Sequence, residues 1–264
     1  MAWDAELRIL NDAIRTAGTE IKRLASDGFD IQIKPDRSPV TSADLAVNRI
    51  LQSRLLGMFP GDGWLSEESP DGPARLSKTR VWVIDPIDGT RAFIHGEPEF
   101  CISVALLEEN RPVVAAIFNP STNELFTATR GGGLHLNHEP LTRQNKGMDR
   151  LPIIALSPWG QPVERFKGVE AYATSRPMRS IAWALALTAG ERIHAVLTFE
   201  PENEWDVAAG ALLIEEAGGT LQDGEGQALR FNRPEPRFRG IIATSRHCPD
   251  PVRQQLRALS RTLK

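Results

Sequence analysis

Cysteine is scarce in this sequence, and neither sign of charge dominates it. Only two cysteines occur among 264 residues, Cys101 and Cys248, and their separation fits neither a metal-ligand pair nor a disulfide framework. We therefore expect two free thiols in a reducing compartment. The formal net charge of −3 gives no electrostatic footprint for nucleic acid or for an anionic membrane. If the ligand is anionic, a bound cation is the obvious candidate to attract it.

Long apolar runs are also missing. No stretch approaches the roughly 20 apolar residues that a membrane-spanning helix requires. The first residues, MAWDAELRIL, are acidic where a secretory signal would need a basic region followed by an apolar run. We expect a cytoplasmic protein with a small-molecule ligand and with neither nucleic acid nor an integral membrane as partner.

In the first half of the chain, the spacing of apolar residues changes from a helical pattern to a strand pattern at about residue 80. Apolar residues from Leu7 to Leu24 recur at spacings of three and four, which predicts an amphipathic helix ending at Gly28. Thr41 and Asp44 stand as an N-cap and its N3 partner, so a second helix is predicted to begin at Thr41. From about residue 80, short β-rich runs with short links favour an antiparallel sheet: VWVID, ISVALLE, PVVAAIF, ELFTATR and GLHLN.

The second half mixes helices and strands. The predicted helices are SIAWALALTAGE, WDVAAGALLIEEAGG with its closing glycines, and PDPVRQQLRALSRTLK with proline in its first turn. The predicted strands are IHAVLTF and GIIATS. This order indicates an α/β protein with two lobes: an N-terminal α+β lobe over residues 1–145, which carries the acidic motifs below, and a C-terminal α/β lobe over residues 146–264.

The most informative segment is DPIDGT at residues 85–90, directly after an apolar strand. Proline fixes φ and glycine permits a left-handed conformation. The turn can therefore present the carboxylates of Asp85 and Asp88, together with the Ile87 carbonyl, to one hard cation. Oxygen ligands of this kind suit Mg²⁺. The alternative is an ordinary Asp-Gly turn capped by Asp85.

Further acidic residues stand at four positions outside this motif. Glu67 and Glu68 follow Ser66, Asp206 opens a predicted helix, and Asp44 lies in the predicted capping box. Each has an ordinary explanation, as a solvated loop charge, a carboxylate at a helix N-terminus or a cap. The sequence contains no Ser-His-Asp or Cys-x5-Arg arrangement, so a covalent phosphoenzyme is not expected.

Three blocks, in the order LSEES, VWVIDPIDGTRAFIHG and WDVAAGALLIEEAGG, resemble the signature blocks of the inositol monophosphatase superfamily. The segment KPDRSPVTSADLAVNRIL and the strand series also fit, so the resemblance covers most of the chain. It implies an αβαβα sandwich with an antiparallel-sheet lobe and a mixed-sheet lobe. It also implies Mg²⁺-dependent hydrolysis of small-molecule phosphate monoesters without a covalent intermediate, inhibition by lithium, and a homodimer, since family members commonly pair.

The same resemblance implies roles for particular residues. Two or three Mg²⁺ ions would be held by the following groups: Glu67, Asp85, the carbonyl of Ile87, Asp88 and Asp206. Asp44 and Thr90 would orient or deprotonate the attacking water, with Glu67 as a further catalytic residue. The amides of Gly89 and Thr90 would hold the phosphate, and Asp88 and Asp206 would also face the substrate. His95 is interpreted as a structural or rim residue, with general acid as the alternative.

The central block is most similar to the bacterial 3′(2′),5′-bisphosphate nucleotidase branch, which implies 3′-phosphoadenosine 5′-phosphate as substrate. Members of that branch often carry a lysine where this sequence has Trp183. Arg176 and Arg179 are therefore candidates to bind the second phosphate, with surface solvation as the alternative. Trp183 could stack on a base or lie in the core.

Other functions remain open at this point. One is an inositol, polyol, histidinol or sugar phosphate phosphatase. Another, from a different class, is a regulatory interaction protein on the same fold. Since all the expected metal-binding carboxylates and Thr90 are present, the sequence favours an enzyme.

Overall fold

The computed structural model describes residues 3–141, 152–156 and 173–260. The predicted lobe boundary at residues 145 and 146 lies outside the described residues. The described part contains six α-helices and one short 3₁₀ helix, Pro73–Ser77. The α-helices are α1 Asp4–Asp27, α2 Ser42–Met58, α3 Thr90–Ile94, α4 Ile181–Ala189, α5 Glu204–Glu216 and α6 Asp250–Ser260. None of the helices in these ranges combines the length and apolarity that crossing a membrane requires.

The strands of the described residues form three sheets. A hairpin pairs β1 Ile31–Ile33 with β2 Pro39–Thr41. A seven-stranded sheet contains, in order, β3 Gly63–Ser66, β4 Arg80–Asp88, β5 Cys101–Glu108, β6 Arg111–Asn119, β7 Glu124–Thr129, β8 Gly133–Leu136 and β9 Glu139–Pro140. A five-stranded sheet has the order β11 Thr174–Pro177, β10 Ile153–Leu156, β12 Ala195–Asn203, β14 Arg237–Thr244 and β13 Thr220–Asp223.

The two large sheets differ in strand direction. In the seven-stranded sheet, β3 runs parallel to β4 and every other neighbouring pair is antiparallel. In the five-stranded sheet, β10 is parallel to both β11 and β12, whereas β14 is antiparallel to its neighbours. The expected division into an antiparallel-dominated sheet and a mixed sheet is therefore confirmed.

The helices and sheets stack as five layers, because apolar side chains on both faces of each sheet need a cover. The faces of α1 and α2 pack on one face of the seven-stranded sheet, around Leu10, Ile14, Leu51, Trp82 and Ile102. The other face of that sheet packs with α4, α5 and the five-stranded sheet. Val252 and Leu256 of α6 cover the outer face of the five-stranded sheet. This order is the expected αβαβα sandwich.

Two local features that the sequence predicts help to position the site. Gly28 follows α1 with φ of 103°, and its amide donates to Leu24, so the helix ends where the sequence predicts. Thr41 caps α2 in a capping box with Asp44. The box fixes the orientation of the Asp44 side chain, which is only 1% exposed.

Helices α4 and α5 approach each other closely in the middle layer. A Cβ atom added to Gly210 of α5 would lie 2.5 Å from Cβ of Leu185 in α4. No real side chain tolerates so short a contact, so the two helices approach this closely because residue 210 is glycine. The first turns of both helices contribute to the site described next.

Candidate functional site

The DPIDGT motif forms the end of β4 and the turn that follows it. Asp85 lies opposite Ser103 and Asp88 lies opposite Cys101 of β5, so β4 contains one extra residue between them. Such a bulge turns a strand locally and redirects its side chains. Gly89 follows with φ of 92°, and a Cβ atom there would lie 2.8 Å from the Glu99 carbonyl oxygen. Glycine is therefore required at this position by both conformation and space.

Three carboxylates converge at this turn. Asp85, Asp88 and Asp206 each offer an oxygen within 4.8 Å of the others. Asp85 and Asp88 come from the end of β4, and Asp206 comes from the first turn of α5. The structure therefore brings together three of the four carboxylates assigned to the metal from the sequence.

Each of the three carboxylates has one oxygen held by a nearby donor. The amide of Ile87 donates to Oδ1 of Asp85 at 3.0 Å, and the amide of Asn203 donates to Oδ2 of Asp206 at 2.9 Å. These bonds orient the side chains and leave the second oxygen of each carboxylate for another ligand.

The oxygen of Asp88 is held from a distant part of the chain. Oδ2 accepts hydrogen bonds from the Ser180 hydroxyl at 2.7 Å and from the Ala182 amide at 2.5 Å. Ser180 is also the N-cap of α4, because its hydroxyl oxygen accepts the Trp183 amide. This contact was not predicted from the sequence. The available signal was a serine directly before an apolar helical run.

The cluster fits a divalent cation. Burial raises the pKa of Asp85, Asp88 and Asp206 above the usual aspartate range, and the negative charge of Glu67 raises each further. Carboxylates crowded in this way need a counter-charge to be ionised together. An all-oxygen donor set is the one that Mg²⁺ prefers.

Glu67 lies beside this cluster and is not a member of it. Its carboxylate accepts a hydrogen bond of 2.8 Å from Nζ of Lys34, which also donates to Glu68 at 2.5 Å. Burial lowers the pKa of Lys34, but the two glutamates outweigh burial and raise it. Burial raises the pKa of Glu68 to about 7. Lys34 places a positive charge beside the candidate metal centre and was not predicted from the sequence.

Asp44 and Thr90 form the expected pair. The Thr90 hydroxyl lies 3.2 Å from Oδ1 of Asp44 and 3.0 Å from the Ile87 carbonyl oxygen. Oδ2 of Asp44 accepts the amide and the hydroxyl of Thr41, at 2.8 and 2.5 Å. Burial raises the pKa of Asp44. This carboxylate is therefore fixed through one oxygen and contacts the Thr90 hydroxyl through the other, a geometry suited to handling a proton.

The remaining candidates have less direct positions. Arg176 forms an ion pair with Glu99, and Arg179 forms one with Glu97 at 3.1 Å. Both arginine side chains are close to half exposed, so each is a surface residue with an acidic partner. Trp183 is 6% exposed and packs edge-on against Phe126, so of its two interpretations the structure supports the core. His95 is exposed at the C-terminal end of α3.

Glu202 is a further acidic residue that the sequence analysis missed. It lies on β12 and is 7% exposed. Burial raises its pKa to about 8, and the charge of Asp88 contributes to the increase. An isolated glutamate in a strand carries no sequence signal for this environment.

The sequence of this chain is similar to a known family and to several characterised proteins. Residues 3–260 match the model of the inositol monophosphatase family. An inositol-1-monophosphatase of Rhizobium meliloti is 35% identical over 239 residues, which cover 86% of this chain and 88% of the relative. The 3′(2′),5′-bisphosphate nucleotidase CysQ of Escherichia coli is 28% identical, over 86% of this chain and 96% of the relative.

The solved structures agree with the described fold. The extragenic suppressor protein SuhB from Bartonella henselae superposes with a TM-score of 0.83 and 28% sequence identity. The superposition covers 99% of this chain and 99% of that protein. The five-layer arrangement is thus one that solved structures of related sequence also have.

Proposed function

Because this chain belongs to the inositol monophosphatase family and is a phosphatase of that family, we propose that it hydrolyses a nucleoside 3′(2′),5′-bisphosphate with the help of Mg²⁺. The expected reaction converts 3′-phosphoadenosine 5′-phosphate into adenosine 5′-phosphate and phosphate. Two or three Mg²⁺ ions are proposed at the site, with Glu67 and the Ile87 carbonyl as ligands in addition to the three converging aspartates.

The observation that carries the Mg²⁺ proposal is the convergence of Asp85, Asp88 and Asp206 within 4.8 Å. One oxygen of each is tied to a protein donor, and the other is left for a cation. Mg²⁺ bound there would neutralise charge on the phosphate and on the oxygens of the bonds that form and break.

The chain's own residues supply the handling of water. The Thr90 hydroxyl donates to Oδ1 of Asp44 and can accept a hydrogen bond from the attacking water. A proton of that water passes towards Asp44 as the new phosphorus–oxygen bond forms, and the ester oxygen leaves with a proton from solvent. The amides of Gly89 and Thr90 are proposed to hold the phosphate in line for this attack.

Support for the nucleotide comes from three sources. The segment DPIDGTRAFIHG and the run Glu204-Trp205-Asp206 resemble the nucleotidase branch. A relative of that activity matches most of the chain. Arg176 and Arg179 lie just before Ser180, which holds Asp88, and arginine suits bidentate contact with a second phosphate.

A second candidate substrate is inositol 1-phosphate or a related polyol or histidinol phosphate. Two observations favour it. Trp183 is buried where the nucleotidase branch often carries a lysine, and a more similar relative is an inositol-1-monophosphatase.

The test is phosphate release in Mg²⁺ from a matched panel, with the same measurement in excess chelator. The panel contains 3′-phosphoadenosine 5′-phosphate, inositol 1-phosphate, histidinol phosphate and fructose 1,6-bisphosphate. The highest kcat/KM is expected for the nucleotide. Preference for inositol 1-phosphate would overturn the substrate and leave the metal proposal standing.

A binding measurement separates the enzyme from a regulatory protein on the same fold. Mg²⁺ should raise the melting temperature of the parent protein, since a ligand that binds only the folded state stabilises it. The rise should vanish in Asp88→Asn and persist in Glu215→Gln, whose carboxylate faces Arg130 on the surface. A parent protein without a Mg²⁺-dependent shift would support the regulatory alternative.

Two further family properties are proposed for this chain. Lithium should inhibit turnover, and full activity in high lithium would count against it. A homodimer is the proposed assembly, and light scattering coupled to gel filtration would measure its mass. A cytoplasmic location also stays a prediction.

A further inference from the structure

Two arginine–glutamate pairs flank the candidate metal centre. Nε of Arg179 lies 3.1 Å from Oε2 of Glu97, and the guanidinium of Arg176 forms an ion pair with Glu99. The glutamates belong to the segment between α3 and β5, and the arginines belong to β11 and the turn before α4. The pairs therefore join the segment after the DPIDGT motif to the segment before α4.

Both of the segments that the pairs join contact the DPIDGT turn, one near Gly89 and the other at Asp88. The Glu99 carbonyl oxygen is the atom that a Cβ on Gly89 would meet at 2.8 Å. Arg179 directly precedes Ser180, whose hydroxyl donates to Asp88. Each of the four charged residues thus is, or lies within four positions of, Glu99 or Ser180, the two residues that approach the turn proposed to hold the reacting phosphate.

The pairs are open to solvent and so can be exchanged. The side chains of Arg176 and Arg179 are 47% and 44% exposed, and those of Glu99 and Glu97 are 25% and 35% exposed. Ion pairs at such exposure contribute little net stability. A phosphate dianion offers an arginine the same bidentate geometry as a carboxylate, with a greater charge.

We propose that Glu97 and Glu99 determine substrate specificity by competing with a second phosphate group of the substrate for Arg179 and Arg176. The inference rests on the proposed phosphatase function and specifies the group of the substrate that Arg176 and Arg179 recognise. A monophosphate leaves both ion pairs in place. A bisphosphate takes the arginines from the glutamates, and this exchange weakens its binding.

The decisive variant is Glu97→Gln/Glu99→Gln, which frees both arginines while keeping side chains of nearly the same size and shape at positions 97 and 99. KM for 3′-phosphoadenosine 5′-phosphate should fall about tenfold with kcat nearly unchanged, which corresponds to about 1.4 kcal/mol. KM for adenosine 3′-phosphate, which lacks the second phosphate, should stay within about twofold of the parent value. Glu215→Gln, which breaks an ion pair with Arg130 elsewhere on the surface, serves as the matched control and should change neither KM.

A second background distinguishes competition from a general loss of negative charge. In Arg176→Ala/Arg179→Ala, the same two glutamate substitutions should no longer change KM for the bisphosphate. A persistent effect in that background would overturn the proposal. An unchanged or raised KM for the bisphosphate in the double glutamate variant would do the same, because the glutamates would then be neutral or would help to orient the arginines.

Equilibrium binding keeps this test independent of turnover. Calorimetric titration in Mg²⁺ with adenosine 5′-phosphate, which retains only the second phosphate, should give a dissociation constant about tenfold lower for the double glutamate variant. If the parent hydrolyses no nucleotide and this gain still appears and needs the arginines, the proposed substrate fails and the competition stands. Equal binding by parent and variant would overturn the competition whatever the substrate is.

Discussion

The Ser180 hydroxyl donates a 2.7 Å hydrogen bond to Oδ2 of Asp88, although 92 residues separate the two in the chain. The Ala182 amide donates to the same oxygen. The first turn of α4 therefore fixes one carboxylate of the candidate metal centre from the opposite half of the sequence. A donor in this position limits the carboxylate to one orientation and so favours one direction of metal contact.

Ser180→Ala should weaken Mg²⁺ binding although Ser180 is not a proposed ligand. Residues that orient metal ligands typically change affinity by about 10- to 100-fold when removed, and the remaining Ala182 amide favours the lower end. The measurement is the Mg²⁺ concentration that gives half of the maximal rise in melting temperature.

The same substitution also removes the N-cap of α4, which costs about 1 kcal/mol on its own. Ser180→Thr keeps both the cap and the donor and should recover most of the Mg²⁺ affinity. Ser180→Asp keeps the cap but places a second carboxylate against Asp88, so it should bind Mg²⁺ no better than the alanine variant. Equal Mg²⁺ titrations for parent and alanine variant would contradict the positioning role.

Thr90→Ala should lower kcat while preserving Mg²⁺ binding. The substitution removes the hydroxyl that lies 3.2 Å from Asp44, and loss of positioned proton transfer typically costs about 10²- to 10⁴-fold. Thr90→Ser keeps the hydroxyl and should retain a large share of the rate. If the serine and alanine variants lose activity equally, the methyl group and not the hydroxyl is what matters.

Lys34→Gln should tighten Mg²⁺ binding. Nζ of Lys34 lies 2.8 Å from Glu67, and a fixed positive charge there opposes the approach of a cation. We expect the apparent dissociation constant for Mg²⁺ to fall by about two- to fivefold, with a larger change at low ionic strength. Lys78→Gln is the control, since Nζ of Lys78 donates to the Gly61 carbonyl oxygen at 3.0 Å and not to a carboxylate. Weaker Mg²⁺ binding in Lys34→Gln would mean that the lysine supports the ligand geometry.

Glu202 should make stability depend on pH in the absence of metal. Burial raises its pKa from 4.5 to about 8. Between these two pH values the folded state therefore retains a proton on Glu202 that the unfolded state has lost. Its contribution to stability is complete below pH 4.5 and is lost as the pH rises towards 8. Glu202→Gln mimics the protonated form, so its advantage in melting temperature over the parent should grow across this range. Parallel curves measured in chelator would show that Glu202 is not protonated in the folded protein.

Local sequence signals predict much of the fold and part of the site. The apolar spacing of α1, the capping box at Thr41 and the β-rich runs after residue 80 depend on neighbours within a few residues, and each is confirmed. The convergence of Asp85 and Asp88 follows from their place in one turn. Asp206 reaches them only through packing of α5 between the sheets, and its assignment came from resemblance.

Other features depend on contacts that no local pattern contains. The hairpin of β1 and β2 and the short strands β3, β10, β11 and β13 were not predicted, because three or four residues carry too little periodicity. The pairing of Arg176 and Arg179 with glutamates joins segments about 80 residues apart. Trp183 is buried because α4 packs on the seven-stranded sheet, where the ring of Phe126 on β7 contacts it.

The contact between Gly210 and Leu185 sets how far apart α4 and α5 lie. Ser180 precedes the first residue of one helix, and Asp206 lies in the first turn of the other. An added methyl group at residue 210 would push the helices apart and shift both side chains relative to Asp88. The strength with which this protein would hold the proposed metal ion can therefore be tuned during evolution by the size of an apolar residue in the interior, with every charged residue left unchanged.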